Sequence, residues 1–142
     1  MKTSTTVLLL GVVAAGFALH ASGDDKGTKK VDGRVFELRT YYPPEGKMDA
    51  LHARFRDHTC KLFEKHGMTL VGFWIPNKSE DSEKKLVYML AFPSKEAAAK
   101  SWKEFGADPE WIAAKKESEK NGPLVSRYES VYLNPTDYSP MK

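Results

Sequence analysis

Apolar and polar positions alternate between Val35 and Tyr42, with Phe36, Leu38, Thr40 and Tyr42 on one side and Val35, Glu37, Arg39 and Tyr41 on the other. A period of two with β-branched and aromatic content predicts a strand, and Pro43-Pro44-Glu45-Gly46 ends it. The period then changes. From Lys47 to His66 the positions Leu51, Phe55, Thr59 and Leu62 recur at helical spacing, with Met48 leading in and Phe63 flanking. That pattern predicts one helix, stopped by His66-Gly67. Thr69 to Ile75 predicts a second strand, with Leu70 and Trp74 on one side and Val71, Phe73 and Ile75 on the other. A polar loop from Asn77 to Lys85 leads to a third strand, Leu86 to Phe92, and the two strands are expected to form a hairpin. Ser94 is placed to cap a helix with the stripe Ala98, Trp102 and Phe105. Asp108-Pro109 opens another, running to Asn121-Gly122. A last strand covers Ser126 to Leu133, and Asn134-Pro135 closes it.

The resulting order, β-α-β-β-α-(α)-β, joins two split βαβ units into an α+β, ferredoxin-like sandwich. Its helices lie on one face of the sheet, yet both sides of the second and third strands carry large apolar residues. A monomer with one side wet would expose a larger apolar patch than soluble monomers usually do. A homodimer with two facing sheets removes that exposure.

The chain ahead of the first strand belongs to a different physical class. Lys2 precedes a charge-free run from Val7 to Leu19, followed by Ala21, Ser22 and Gly23 and then a charged stretch from Asp24 to Lys30. A positive start, a short apolar segment and a small-residue exit are the parts of a secretory signal peptide, expected at 1–21 with cleavage near Ala21. The run is shorter than the roughly 20 residues of a spanning helix, so no stable membrane span is expected after cleavage. Residues 22–33 read as a disordered tether, 34–134 as the one domain, and 135–142 as a loose tail in which only Tyr138 has reason to dock. The protein is then exported, to a periplasm or to the outside of the cell.

Charge and cysteine content narrow the classes further. The full chain carries 22 basic and 19 acidic residues, a formal charge of +3. Loss of Lys2 with the leader brings this to +2, so the domain is nearly balanced and has no nucleic-acid footprint. Cys60, the one cysteine, makes no internal disulfide and reads as buried and inert.

No strong catalytic motif is present: no paired-cysteine metal spacing, no glycine-rich phosphate loop, no Gly-x-Ser-x-Gly elbow and no His-Glu-x-x-His. No metal or cofactor is therefore expected. His58 follows Phe55 by three residues and precedes Leu62 by four, which puts it on or beside the core-facing stripe of the first helix. There it is a general base near neutral pH, a metal or haem ligand, or a histidine hydrogen-bonded at the edge of the core. Glu37 and Arg39 share one strand face, as do Arg127 and Glu129 on the last strand. Buried charges need partners, so these form an ion-pair network or hold a polar ligand. Tyr41, Trp74, Tyr88, Tyr128 and Tyr132 supply amphipathic walls. The candidate ligand-binding residues are Arg39, Tyr41, His58, Trp74 and Tyr88, and His58 is the weak candidate for catalysis.

Phe36-Glu37-Leu38-Arg39-Thr40-Tyr41 ahead of a Pro/Gly turn and an amphipathic helix resembles the opening of a NIPSNAP domain, as does Gly72-Phe73-Trp74. Leu90-Ala91-Phe92-Pro93-Ser94, then Ala97-Ala98-Ala99, Trp102, Phe105 and Asp108-Pro109-Glu110-Trp111, is similar to the family's second half. The resemblance spans 34–134 and implies a protomer that assembles as a dimeric α/β barrel. It implies no settled activity. Two function classes follow: a homodimeric protein binding a small apolar or aromatic molecule, or a cofactor-independent monooxygenase-type enzyme, which the barrel architecture also hosts.

Overall fold

The computed structural model describes residues 33–77 and 84–142. The expected signal peptide, all of the tether but its last residue, and residues 78–83 of the polar loop lie outside the described residues. Four strands, β1 (Val35–Tyr42), β2 (Thr69–Trp74), β3 (Leu86–Phe92) and β4 (Arg127–Leu133), form one antiparallel sheet in the order β2-β3-β1-β4. α1 (Met48–Arg54) and α2 (Cys60–Lys65) follow β1, while α3 (Lys95–Ala107) and α4 (Pro109–Ser118) follow β3. This is the expected ferredoxin-like α+β architecture.

Capping follows the sequence signals. Ser94 Oγ accepts the Ala97 amide at 3.1 Å, and Asp108 Oδ1 accepts the Glu110 amide at 2.8 Å with Pro109 in the first turn of α4. Asp108 Oδ2 also takes His66 Nε2 at 2.7 Å and Lys65 Nζ at 2.9 Å, tying the end of α2 to the start of α4. Hydrogen bonds from Lys65 and His66 hold the Asp108 carboxyl well below the usual carboxylate range.

The core lies between sheet and helices. Leu86, Tyr88, Leu90 and Phe92 of β3 are buried together with Leu51, Phe55, Leu62, Phe63 and Phe105. Phe63 joins an aromatic chain, with its ring centroid 4.9 Å from that of Phe105 and 5.4 Å from that of Trp102.

Two one-residue irregularities redirect side chains. Between α1 and α2 the chain makes a π-helical turn, Phe55–Thr59, in which the Cys60 amide bonds back to the Phe55 carbonyl. An α-helix advances about 100° per residue, which would carry His58 onto the line from Leu51 to Leu62. The wider turn needs one residue more to come round, so Thr59, already on the expected stripe, faces inward and His58 falls short of it. Thr59 is buried, and its hydroxyl donates to the Arg54 carbonyl at 3.2 Å. His58 is exposed, which corrects its expected place on the core-facing side.

The second irregularity is a bulge in β2 between Leu70 and Gly72. Leu70 pairs with Leu90 and Phe73 with Tyr88, so both face the helices, whereas Gly72 and Trp74 oppose Met89 and Val87 on the open face. The expected grouping of Leu70 with Trp74 is thus broken, because the extra residue inverts the alternation. Trp74 lies back over Gly72: a Cβ on Gly72 would come within 2.5 Å of its indole.

The open face carries Leu38, Val87 and Met89, each partly exposed, with Trp74, Val131 and Leu133 more so. In the tail, Arg34 Nε donates to the Lys142 carbonyl at 2.5 Å. Tyr138 does not dock; it is among the most exposed residues.

Candidate functional site

β1 carries Glu37, Arg39 and Tyr41 on its helix-facing side, and pairing sets these against Leu90, Tyr88 and Leu86 of β3 and Tyr132, Ser130 and Tyr128 of β4. The helices cover β3 and β1 but not β4. The same face is therefore sealed at one end of a row and open at the other. Glu37 is 1% exposed, whereas Tyr132 is 38% and Tyr128 58% exposed.

Glu37 is the centre of the arrangement. Its Oε1 accepts Arg39 Nε at 2.8 Å and Ser130 Oγ at 2.6 Å, and its Oε2 accepts the indole Nε1 of Trp102 at 2.6 Å. A charge this buried persists only when its lone pairs are occupied, and three donors from β1, β4 and α3 occupy them here. Arg39 is held as a plate. Its guanidinium carbon lies 3.9 Å from the Trp102 ring and 4.8 Å from the Tyr128 ring, and Nη1 donates to the Tyr41 hydroxyl at 3.3 Å. Burial works against the Arg39 charge, but Tyr88, Tyr41 and Glu37 around it leave the guanidinium more firmly protonated than a free arginine. Burial, and then the Glu37 carboxylate, push the Tyr132 hydroxyl above the usual phenol range.

Of the expected ligand-binding residues, the fold brings three together. Tyr41 stands edge-on to Tyr88, with centroids 5.2 Å apart, and both adjoin Arg39. Tyr88 is fully buried, its hydroxyl makes no well-formed hydrogen bond among the described residues, and burial raises its pKa well above that of free tyrosine. Trp74 is not part of this group. Its register puts it on the opposite face, and it also borders a recess of about 290 Å³ at the β2 edge, lined from the helix side by His52, Phe55, Cys60 and Phe73. Cys60 there is partly rather than fully buried, and burial followed by Glu64 raises its thiol pKa. His58 is absent from the group as well. It lines a groove of about 650 Å³ on the outer side of the helix layer with Ala53, Arg54, Ala113, Ala114 and Glu117. That groove is the larger of the two, but Arg54 in its wall is already paired with Glu119 at 2.7 Å, and its alanines share the lining with Asp57, Lys61 and Glu110.

Within the chain, Glu37 and Arg39 do not join Arg127 and Glu129 in one ion-pair network. β1 and β4 are neighbours, but Arg127 and Glu129 pair with each other on the open face, where the Arg127 guanidinium lies 3.4 Å from the Tyr42 ring. Sequence reasoning missed Trp102 and Ser130 as members of the cluster. Trp102 falls on a helix stripe that reads as core, and Ser130 carries no local signal. Among the described residues no three of His, Cys, Asp and Glu converge as metal ligands, and no helix is long and apolar enough to cross a membrane.

Sheet order and helix placement define a ferredoxin-like domain whose polar cluster lies between sheet and helices. The chain belongs to the NIPSNAP family, whose model matches residues 36–140. Solved structures agree on the fold. A NIPSNAP family protein with unknown function from Agrobacterium tumefaciens superposes with a TM-score of 0.67 at 22% identity, over 79% of this chain and 96% of that one. An uncharacterized NIPSNAP domain protein from Burkholderia xenovorans gives 0.63 at 23% identity, over 75% and 98%. No curated protein matches the chain at a significant level.

Proposed function

We propose that this NIPSNAP domain is an exported, homodimeric small-molecule-binding protein whose ligand rests on the ledge beside Glu37 and Arg39. One observation carries the reading. A fully satisfied buried carboxylate and a stacked arginine lie directly behind two tyrosines, Tyr128 and Tyr132, that stay 58% and 38% exposed. Buried polar networks of this kind hold side chains in fixed positions, and exposed aromatic surface beside one suits an apolar or aromatic ligand. The open sheet face with Trp74, Val131 and Leu133 supports the two-fold assembly. The charge-free run from Val7 to Leu19 supports export. The monooxygenase-type alternative rests on the barrel architecture, and His58, the weak candidate for its catalysis, lies outside the cluster.

Native mass spectrometry of the protein purified from its host tests the binding reading. A small molecule is expected on the wild type and reduced on Tyr128→Ala. Ligand occupancy unchanged by that variant would remove the ledge. Light scattering should report twice the protomer mass at micromolar concentration, and a stable monomer would defeat the dimer. N-terminal sequencing of the same material should begin near Ser22; an intact Met1 on cytoplasmic protein would defeat export.

A further inference from the structure

We propose that the ledge takes a small aromatic carboxylate, its ring laid on the row Tyr128–Ser130–Tyr132 and its charge directed to Lys95. This rests on the reading of the ledge as the ligand site and adds the chemical class of the ligand.

The row comes from the strand period. Residues 128, 130 and 132 share the helix-facing side of β4, since they oppose Tyr41, Arg39 and Glu37 of β1. At about 3.3 Å per residue the two tyrosines lie roughly 13 Å apart along the strand, with only a serine between them. That leaves a flat floor long enough for one or two fused rings. The serine hydroxyl donates inward to Glu37, so the middle of the floor presents no free hydroxyl donor to an apolar ring.

Charge selects among flat ligands. Among the described residues, Glu37, Arg39 and Lys95 are the formal charges that touch the side chains of the row. The first two neutralise each other across 2.8 Å, and every donor bond to Glu37 comes from the protein. Lys95 is different. Its Nζ stands 5.8 Å from the centre of the Tyr132 ring, and among the described residues no carboxylate pairs with it. The border therefore carries one uncompensated positive charge beside an exposed aromatic surface. A ligand cation would be repelled, and a neutral ring would leave the charge unanswered. Arg39 does not offer a free bidentate fork, because Nε is bound to Glu37 and Nη1 to Tyr41. A planar monoanion with an apolar body fits these conditions better than a phosphate, which draws on several converging donors.

The test is titration of the full chain with 2-naphthoate and, separately, with neutral 2-naphthylmethanol, followed by calorimetry and by the tyrosine ring signals in NMR. The acid is expected to bind severalfold more tightly than the alcohol, with shifts at Tyr128 and Tyr132. Lys95→Gln, an exposed change that should leave the fold intact, is expected to weaken the acid about threefold and leave the alcohol unaffected. Raising ionic strength should do the same, since exposed pairs are screened. Equal binding of acid and alcohol, unaltered by Lys95→Gln, would overturn the carboxylate class while leaving a small-molecule site standing. Absence of binding by both probes, together with conversion of dimer to monomer by Tyr128→Ser, would show the row to be a contact between copies and overturn the ledge as well.

Discussion

Glu37→Gln is the sharpest test of the cluster's energetics. The substitution keeps shape and length but removes the charge and replaces one acceptor oxygen with an amide that only donates. Glu37 uses both oxygens, Oε1 for Arg39 and Ser130 and Oε2 for Trp102. Whichever way the glutamine amide turns, its NH₂ meets at least one donor head-on. If it faces Trp102, the indole N–H is left unpaired; if it faces Arg39, the guanidinium loses its counter-charge. Breaking a buried pair by removing one partner costs about 3–5 kcal/mol. The Arg39 side chain retains 13% exposure, which lets water relieve part of that, so about 3 kcal/mol is expected. For a domain of this size each kcal/mol moves the melting temperature by about 4–8 °C, which gives a drop of roughly 12–24 °C. Circular dichroism melts and urea titrations of wild type, Glu37→Gln, Arg39→Met and the double variant form a cycle. The double variant should lose less than the sum of the two singles, because an uncharged pair leaves no stranded charge. A Glu37→Gln loss below about 0.5 kcal/mol, or strict additivity across the cycle, would refute the claim that the carboxylate organises this site.

Three other changes read different parts of the fold. His58→Gln should leave stability within about 0.5 kcal/mol of wild type, because the π turn places the ring in solvent; a cost above 1 kcal/mol would mean that the ring packs inward. Gly72→Ala should push the Trp74 indole off the sheet, seen as a red shift of tryptophan emission with little loss of melting temperature, since the half-exposed ring is free to move; unchanged emission would count against the contact. Asp108 gives a pH signature. Its pKa is lowered in the folded state, so between that value and the unfolded value of about 3.9 the unfolded chain binds the extra proton. Its contribution is therefore complete above that window and lost as pH falls through it. Asp108→Asn should flatten the acid limb of the stability curve, and an unaltered limb would show that the carboxylate is not the group responsible.

The sequence by itself determined the elements, their order and the side of β1 that carries charge. Those follow from local periods of two and 3.6 and from caps such as Ser94 and Asp108, which are satisfied within a few residues of chain. From the order alone came the ferredoxin-like topology, because few connections join such elements without crossing. What the periods miss is a change of phase. The π turn at Phe55–Thr59 and the bulge between Leu70 and Gly72 each add one residue, and apolar neighbours occupy either phase equally well. His58 therefore left the core and Trp74 changed face without a signal in the sequence. The site itself was decided by tertiary structure. Glu37 meets Trp102 from 65 residues away and Ser130 from 93. Burial of its charge selects those donors, and burial exists only once α3 and β4 have closed around β1.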